Sequence, residues 1–210
     1  MRAKKVEFEV TFINLREKPD WFLELSPHGV VPVLKIGDDV LFESNAIAEF
    51  LDETVPPRLH PEDPIKRAKN RAWTDFVPTF AKSLMGVYYT ESKEEVAAGI
   101  PEAAEDLESL ENALKERANA GPYFNGDKLS LVDCAYAPFL LRFTIMDRFL
   151  KTRLIERYPL VTAWRDALIA NETVTGSLAP NFLEEFYANV RRQGYYVATL
   201  IDAETSEAAE

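Results

Sequence analysis

Four prolines, Pro56, Pro57, Pro61 and Pro64, crowd one short stretch of the 210-residue chain and divide it into two parts of different character. Proline fixes its own φ and has no amide hydrogen, so such a stretch is neither regular helix nor central strand. Before it the sequence bears strand patterns. After it every apolar pattern has helical spacing. The expected fold class is therefore α/β followed by all-α: an α/β domain at residues 1–55, a linker at 56–63, an all-helical domain at 64–200 and a disordered acidic tail at 201–210.

In the first part, Val6 to Asn14 (VEFEVTFIN) alternates and is rich in β-branched and aromatic residues, which predicts a strand. Asp20 to Leu25 reads as one or two helical turns, broken by Ser26-Pro27-His28-Gly29. Val30 to Ile36 predicts a strand, Gly37-Asp38-Asp39 a turn, and Val40 to Phe42 a return strand. Pro32 cannot donate to a ladder, so it marks an edge or an exposed backbone. Ser44 is expected to cap a helix whose Ala46, Ile47, Phe50 and Leu51 share a face. A helix N-terminus with a hydroxyl suits a carboxylate, and the adjacent Glu43 suits an ammonium, so Glu43-Ser44 fits an α-amino-acid head group. The pair is equally the common composition of a helix start with no ligand.

The second part predicts helices over Ile65–Tyr89, with Pro78 and Gly86 as kinks, and over Glu94–Ala118, where Ala103, Leu107, Leu110, Leu114 and Ala118 recur at spacings of three and four. Ser130-Leu131-Val132-Asp133 has capping-box spacing and opens an apolar helix to about Phe149. Tyr158–Ala170 and Pro180–Tyr196 predict two more. The tail has too little apolar content to pack.

With 24 Lys and Arg against 35 Asp and Glu, the formal charge of −11 disfavours nucleic acid and anionic membranes as partners. No apolar run approaches the ~20 residues that span a bilayer, and no charged-then-apolar leader opens the chain, so a cytoplasmic protein is expected. One cysteine, Cys134, agrees with a reducing compartment. With only His28 and His60 and no Cys pair, no metal site is visible. Cys134 is expected to be a buried, inert thiol packed by Leu129.

VVPVL, ESNAIAEFLDE, LHPEDPIKRA and GDKLSLVDCAYAP together resemble the glutathione transferase superfamily over nearly the whole chain. FINLREKPDWFLELSPHGVVPVL and the segment from Ala163 to Gln193 look most like its omega-type enzymes. The resemblance implies an incomplete thioredoxin-like N-terminal domain followed by the all-helical C-terminal domain of that family. It also implies glutathione as co-substrate, no metal, and a homodimer. Carried over residue by residue, Glu43 and Ser44 would hold the γ-glutamyl head group, the Val31 backbone before Pro32 would pair with the cysteinyl moiety, and Lys18 would approach the glycyl carboxylate. Trp164 falls where omega-type enzymes place an aromatic residue against a hydrophobic second substrate, although an indole on an amphipathic helix is also a common core anchor. Met1 to Lys5 looks like the last turn of the family's first helix, so the first strand and the catalytic Cys, Ser or Tyr are expected upstream of Met1. A Cys there implies glutathione-dependent thiol transfer or reduction, of mixed disulfides or dehydroascorbate; a Ser or Tyr implies conjugation of glutathione to electrophiles. The rival reading is a non-catalytic protein-interaction module of the same fold, like the stringent-starvation proteins.

Overall fold

The computed structural model describes residues 1–117 and 119–207, so Ala118 and residues 208–210, the end of the expected tail, lie outside the described residues. The chain divides into two compact units, Met1–Ala68 and Lys69–Glu210.

In the first unit a 3-10 turn, Arg2–Lys4, is followed by chain without helix or strand up to a short helix, α1 (Asp20–Leu25). Two strands, β1 (Val33–Ile36) and β2 (Asp39–Phe42), pair antiparallel with Val33 opposite Phe42 and Ile36 opposite Asp39. Helix α2 (Ser44–Thr54) buries Ile47, Leu51 and Asp52. The expected strand at Val6–Asn14 is not formed. Its residues carry no regular structure, since strand propensity becomes a strand only when a neighbour accepts its hydrogen bonds. Among the described residues the sheet has two strands, and neither pairs with this segment.

Lys4 closes this unit in a way the sequence did not suggest. Its ammonium lies 3.0 Å from Asp52 Oδ1 and donates to the carbonyls of Val55 (2.6 Å) and Pro57 (2.8 Å), with both charged side chains almost wholly buried. The other contacts of Asp52 come from the linker: the amides of Leu59 (2.6 Å) and His60 (3.2 Å) donate to its carboxylate. Burial opposes ionisation of Asp52, but the Leu59 amide, the Lys4 ammonium and the His60 amide outweigh it and hold the carboxyl below its ordinary value. His60 is itself buried, with Nε2 2.8 Å from Glu49 Oε1.

Helix α3 (Pro64–Tyr88) carries the chain into the second unit, where α4 (Lys93–Glu116), α5 (Leu131–Leu150), α6 (Pro159–Ile169), the single turn α7 (Glu172–Thr175), α8 (Phe182–Gln193) and α9 (Tyr196–Glu207) follow. Phe80, Leu84, Leu107, Tyr136, Leu140 and Trp164 form the centre of its core. The capping box at Ser130 is present: Ser130 Oγ accepts from the Asp133 amide, and Asp133 Oδ2 accepts from the Ser130 amide at 2.7 Å. Glu111 of α4 reaches across to accept the Leu160 and Val161 amides at 2.9 and 3.0 Å, which caps α6 from a neighbouring helix.

Three expectations in this unit are corrected. Residues Asp202–Glu207, expected to be disordered, continue α9, because Val197, Ala198 and Ile201 are buried and the acidic side is held by ion pairs from Arg191 to Asp202 and from Arg148 to Glu204. The expected helix through Tyr196 instead ends at Gln193, where Gly194 takes a left-handed φ of 71° and donates to the carbonyls of Val190 and Arg191. Cys134 is exposed rather than buried. Val132, Tyr136, Leu140 and Phe143 set the inward face of α5, and two residues of helical rotation carry Cys134 away from it.

Candidate functional site

The site residues of the first unit are assembled by its turn and hairpin. Ser26, buried to 2 % exposure, ties the loop after α1: its hydroxyl donates to the Val30 carbonyl at 2.9 Å and accepts the Val30 amide at 3.0 Å. Gly29 turns the chain at φ 61°, a left-handed conformation that a side chain would strain, and its amide donates to the Ser26 carbonyl. Lys18 Nζ lies beside this glycine, 3.9 Å from where a Cβ would stand, with Leu23 at 3.5 Å. The His28 ring meets Phe42 edge-on at 5.4 Å, which fixes the loop against the end of β2.

From this loop the chain runs through Val30 and Val31 to Pro32 and into β1, with the Val31–Pro32 peptide cis. Since Val33 is opposite Phe42, Pro32 and Val31 leave one strand end where Glu43 and Ser44 leave the other. Among the described residues no hydrogen bond takes up the amide or carbonyl of Val31, and its side chain is exposed. The result is a short exposed backbone edge beside the start of α2.

The helix start differs from expectation. Glu43, not Ser44, is the N-cap, and no side-chain hydrogen bond caps α2. Ser44 is the first helical residue, so its amide belongs to the turn that has no intrahelical acceptor. Glu43 has φ 66° and ψ 120°, outside the regions open to ordinary side chains, at a cost on the order of 1–3 kcal/mol. Both side chains are exposed. The structure therefore brings together Lys18, Val31, Pro32, Glu43 and Ser44 within one unit, around a loop whose shape depends on Ser26. Sequence reasoning missed Ser26; the signal was there in Ser-Pro-x-Gly, a hydroxyl placed three residues before a turn glycine. Chemically, a cation suits a carboxylate, an open backbone edge suits an extended peptide, and a helix N-terminus with an acid beside it suits a carboxylate and an ammonium.

Trp164 does not join a ligand surface. Its side chain is 1 % exposed among Phe124 and Tyr136, and its indole N–H donates to Asp133 Oδ1 at 2.6 Å. Asp133 also accepts the Phe124 amide at 2.9 Å. Burial pushes its carboxyl above the ordinary value in spite of the Ser130, Phe124 and Trp164 donors. Trp164 is thus an anchor that satisfies a buried capping acid, which explains why an indole rather than a phenyl ring stands there. An aromatic grouping that is less enclosed sits elsewhere in the helical unit: Tyr89 stacks on Tyr195 at 4.9 Å, and Arg142 lies 5.3 Å from the Phe182 ring centroid. A cleft of about 470 Å³ near the end of α5 is lined by Asp147, Arg148, Arg153, Glu156 and Arg165 among others. Arg165 pairs with Glu156 and Asp166, and Asp147 accepts from Thr152 and Arg153. No group of His, Cys, Asp and Glu suited to a metal ion occurs among the described residues, and no helix there is long and apolar enough to cross a membrane.

Comparison with known proteins accords with this geometry. Residues 1–54 match the family model for the glutathione S-transferase N-terminal domain, and residues 93–167 that for the glutathione S-transferase C-terminal domain. A probable glutathione S-transferase of Oryza sativa subsp. japonica, GSTU6, is 32% identical over 84% of this chain and 79% of its own length. Glutathione S-transferase omega-1 of Sus scrofa is 26% identical over 89% of this chain and 76% of its own. Among solved structures, glutathione transferase Omega 3C from Trametes versicolor superposes with a TM-score of 0.78 at 26% identity, covering 91% of this chain and 82% of that one. The α/β unit with its exposed Val31–Pro32 edge and the helical unit with its Ser130 capping box are thus the two domains of one family: the chain belongs to the glutathione S-transferases.

Proposed function

We propose that this chain binds glutathione in its first unit and that its full-length form serves, as an omega-like enzyme, glutathione-dependent thiol transfer or reduction rather than conjugation to electrophiles. In this reading Glu43 holds the α-ammonium of the γ-glutamyl group, and the Ser44 hydroxyl and amide hold its carboxylate at the start of α2. The unpaired amide and carbonyl of Val31 pair with the cysteinyl backbone as an added strand would, Pro32 shapes that edge, and Lys18 faces the glycyl carboxylate. The observation that supports this reading is the backbone of Val31 left without an internal partner at the strand end beside the start of α2. The second substrate is a small disulfide or hydrophobic molecule, the partner protein a second copy of the chain, and the compartment the cytoplasm.

The test compares retention on immobilised glutathione, and turnover of the full-length form with a mixed disulfide, dehydroascorbate and an aromatic halide, for the wild type and Glu43→Ala/Ser44→Ala. Retention lost in the double variant, with disulfide or dehydroascorbate reduction exceeding conjugation in the wild type, is the expected result. Conjugation exceeding reduction refutes the omega-like assignment. Failure of the wild type to be retained refutes the glutathione site and leaves the interaction-module reading.

A further inference from the structure

The cleft at the end of α5 is lined by four cations, Arg148, Lys151, Arg153 and Arg165, against two acids, Asp147 and Glu156. In a chain of net charge −11 this is a local reversal of sign. Both acids are committed. Asp147 Oδ1 accepts the amide and the hydroxyl of Thr152 at 2.9 and 2.6 Å, and its Oδ2 accepts the Arg153 amide at 3.0 Å. Glu156 accepts from Arg165 at 2.7 Å. Burial opposes ionisation of Glu156, but the Arg165 bond, its own amide and the charges of Arg165 and Arg153 hold its carboxyl below the ordinary value. Two further acids, Asp166 and Glu204, pair with Arg165 and Arg148 from outside the cleft. Their side chains are 62% and 45% exposed, so water screens them.

The cations are held in two ways. Arg165 of α6 is only 8% exposed. Its Nε and Nη2 face Asp166 and its Nη1 faces Glu156, so two of the guanidinium N–H groups are left for whatever fills the cleft. Lys151 and Arg153 stand in the turn after α5 at left-handed φ of 57° and 52°, which glycine or asparagine would take at lower cost. The bonds to Asp147 fix that turn. Among the described residues neither of these two side chains has a hydrogen bond or ion pair. The C-terminal end of α5 attracts cations, but its dipole amounts to about half a charge, less than either of them.

We infer that this cleft binds a small molecule carrying a phosphoryl group. Its volume of about 470 Å³ lies in the range of small-ligand pockets. A phosphoryl group offers three oxygens to donors arriving from different directions, here Arg165 from α6 and Lys151 and Arg153 from the turn after α5. A carboxylate offers two, in one plane. Every group named belongs to the second unit, and none is shared with the glutathione site proposed above.

Calorimetric titration of the chain with inorganic pyrophosphate, adenosine 5′-monophosphate, adenosine and succinate is the test. The two phosphate compounds are expected to bind one per chain with Kd below about 1 mM, and more weakly as sodium chloride rises. Adenosine and succinate are expected to bind at least about tenfold more weakly. Lys151→Gln/Arg153→Gln should lower pyrophosphate affinity at least about twentyfold with the melting temperature unchanged, since neither side chain holds a bond in the fold. Arg157→Gln removes a neighbouring charge that does not line the cleft, and Glu43→Ala/Ser44→Ala removes the contacts proposed for glutathione. Each should change pyrophosphate affinity by less than about threefold. The inference is overturned if neither phosphate compound binds saturably, or if succinate binds as well as pyrophosphate. It is overturned equally if Arg157→Gln costs as much as the Lys151/Arg153 double variant, or if binding is lost in the Glu43/Ser44 variant, since the anion then lies elsewhere.

Discussion

Replacing Lys4 with methionine tests the view that the first residues of the chain brace the whole α/β unit. Methionine keeps much of the volume and removes the charge. What remains is Asp52, 3% exposed, with two linker amides and no counter-ion. Removing one partner of a buried ion pair costs about 3–5 kcal/mol, because the other charge stays buried. The Val55 and Pro57 carbonyls lose a donor as well. A loss of about 3 kcal/mol multiplies the open population of α2 roughly 150-fold. Hydrogen exchange read by peptide is the assay: amides of α2 should exchange faster by that factor, and those of α4 and α5 should not. The sign of the pH dependence follows from Asp52. Its carboxyl is held below the ordinary value of 3.8 in the folded chain, so its contribution is present above that value and lost as pH falls through the lower folded value. Protection of α2 in the wild type should therefore fall as pH drops below about 4, and Lys4→Met should flatten this response. Exchange in α2 changed by less than about fivefold, or changed equally in α5, would refute the reasoning.

Three further outcomes are expected. Ser26→Ala leaves the Val30 amide and carbonyl without their shared partner and should loosen the Val31 edge, lowering glutathione affinity about tenfold in calorimetry with little change in the helical unit. Trp164→Phe removes the indole donor from buried Asp133 and should destabilise the helical unit by about 1–3 kcal/mol in urea, with KM for the second substrate unchanged; a raised KM without a stability loss would restore Trp164 to the substrate site. Exposed Cys134 should react with a chromogenic disulfide in the native protein at a rate close to that in denaturant.

The parts of the fold that were legible in sequence are those set by local chemistry. The Ser130–Asp133 box, the turn at Gly37 and the spacing of Leu107, Leu110 and Leu114 depend on residues within a few positions of one another, and each appears where it was expected. What could not be read depends on distant partners. Val6–Asn14 has strand composition, but pairing belongs to two segments at once. The tail looked too acidic to fold because the arginines that hold it, Arg148 and Arg191, lie on other helices. Lys4 looked like a surface lysine because Asp52 is far along the chain, and Trp164 could not be told from a ligand contact without Asp133 beside it. At the site, Glu43, Ser44 and Pro32 were visible as local signals, whereas Ser26 acts only through the loop it closes. The role of Ser44 was misread by one residue, since the unusual backbone of Glu43 moves the helix start forward.

In the proposed complex glutathione lies on the Val31 edge with its γ-glutamyl end at α2. Titrating glutathione into nitrogen-15-labelled chain and following the backbone amides tests it directly. The largest shifts are expected on Val31, Ser44 and Gly29 and should disappear in Glu43→Ala/Ser44→Ala. Saturable shifts confined to the helical unit, or shifts at Val31 and Ser44 that persist in the double variant, would contradict it.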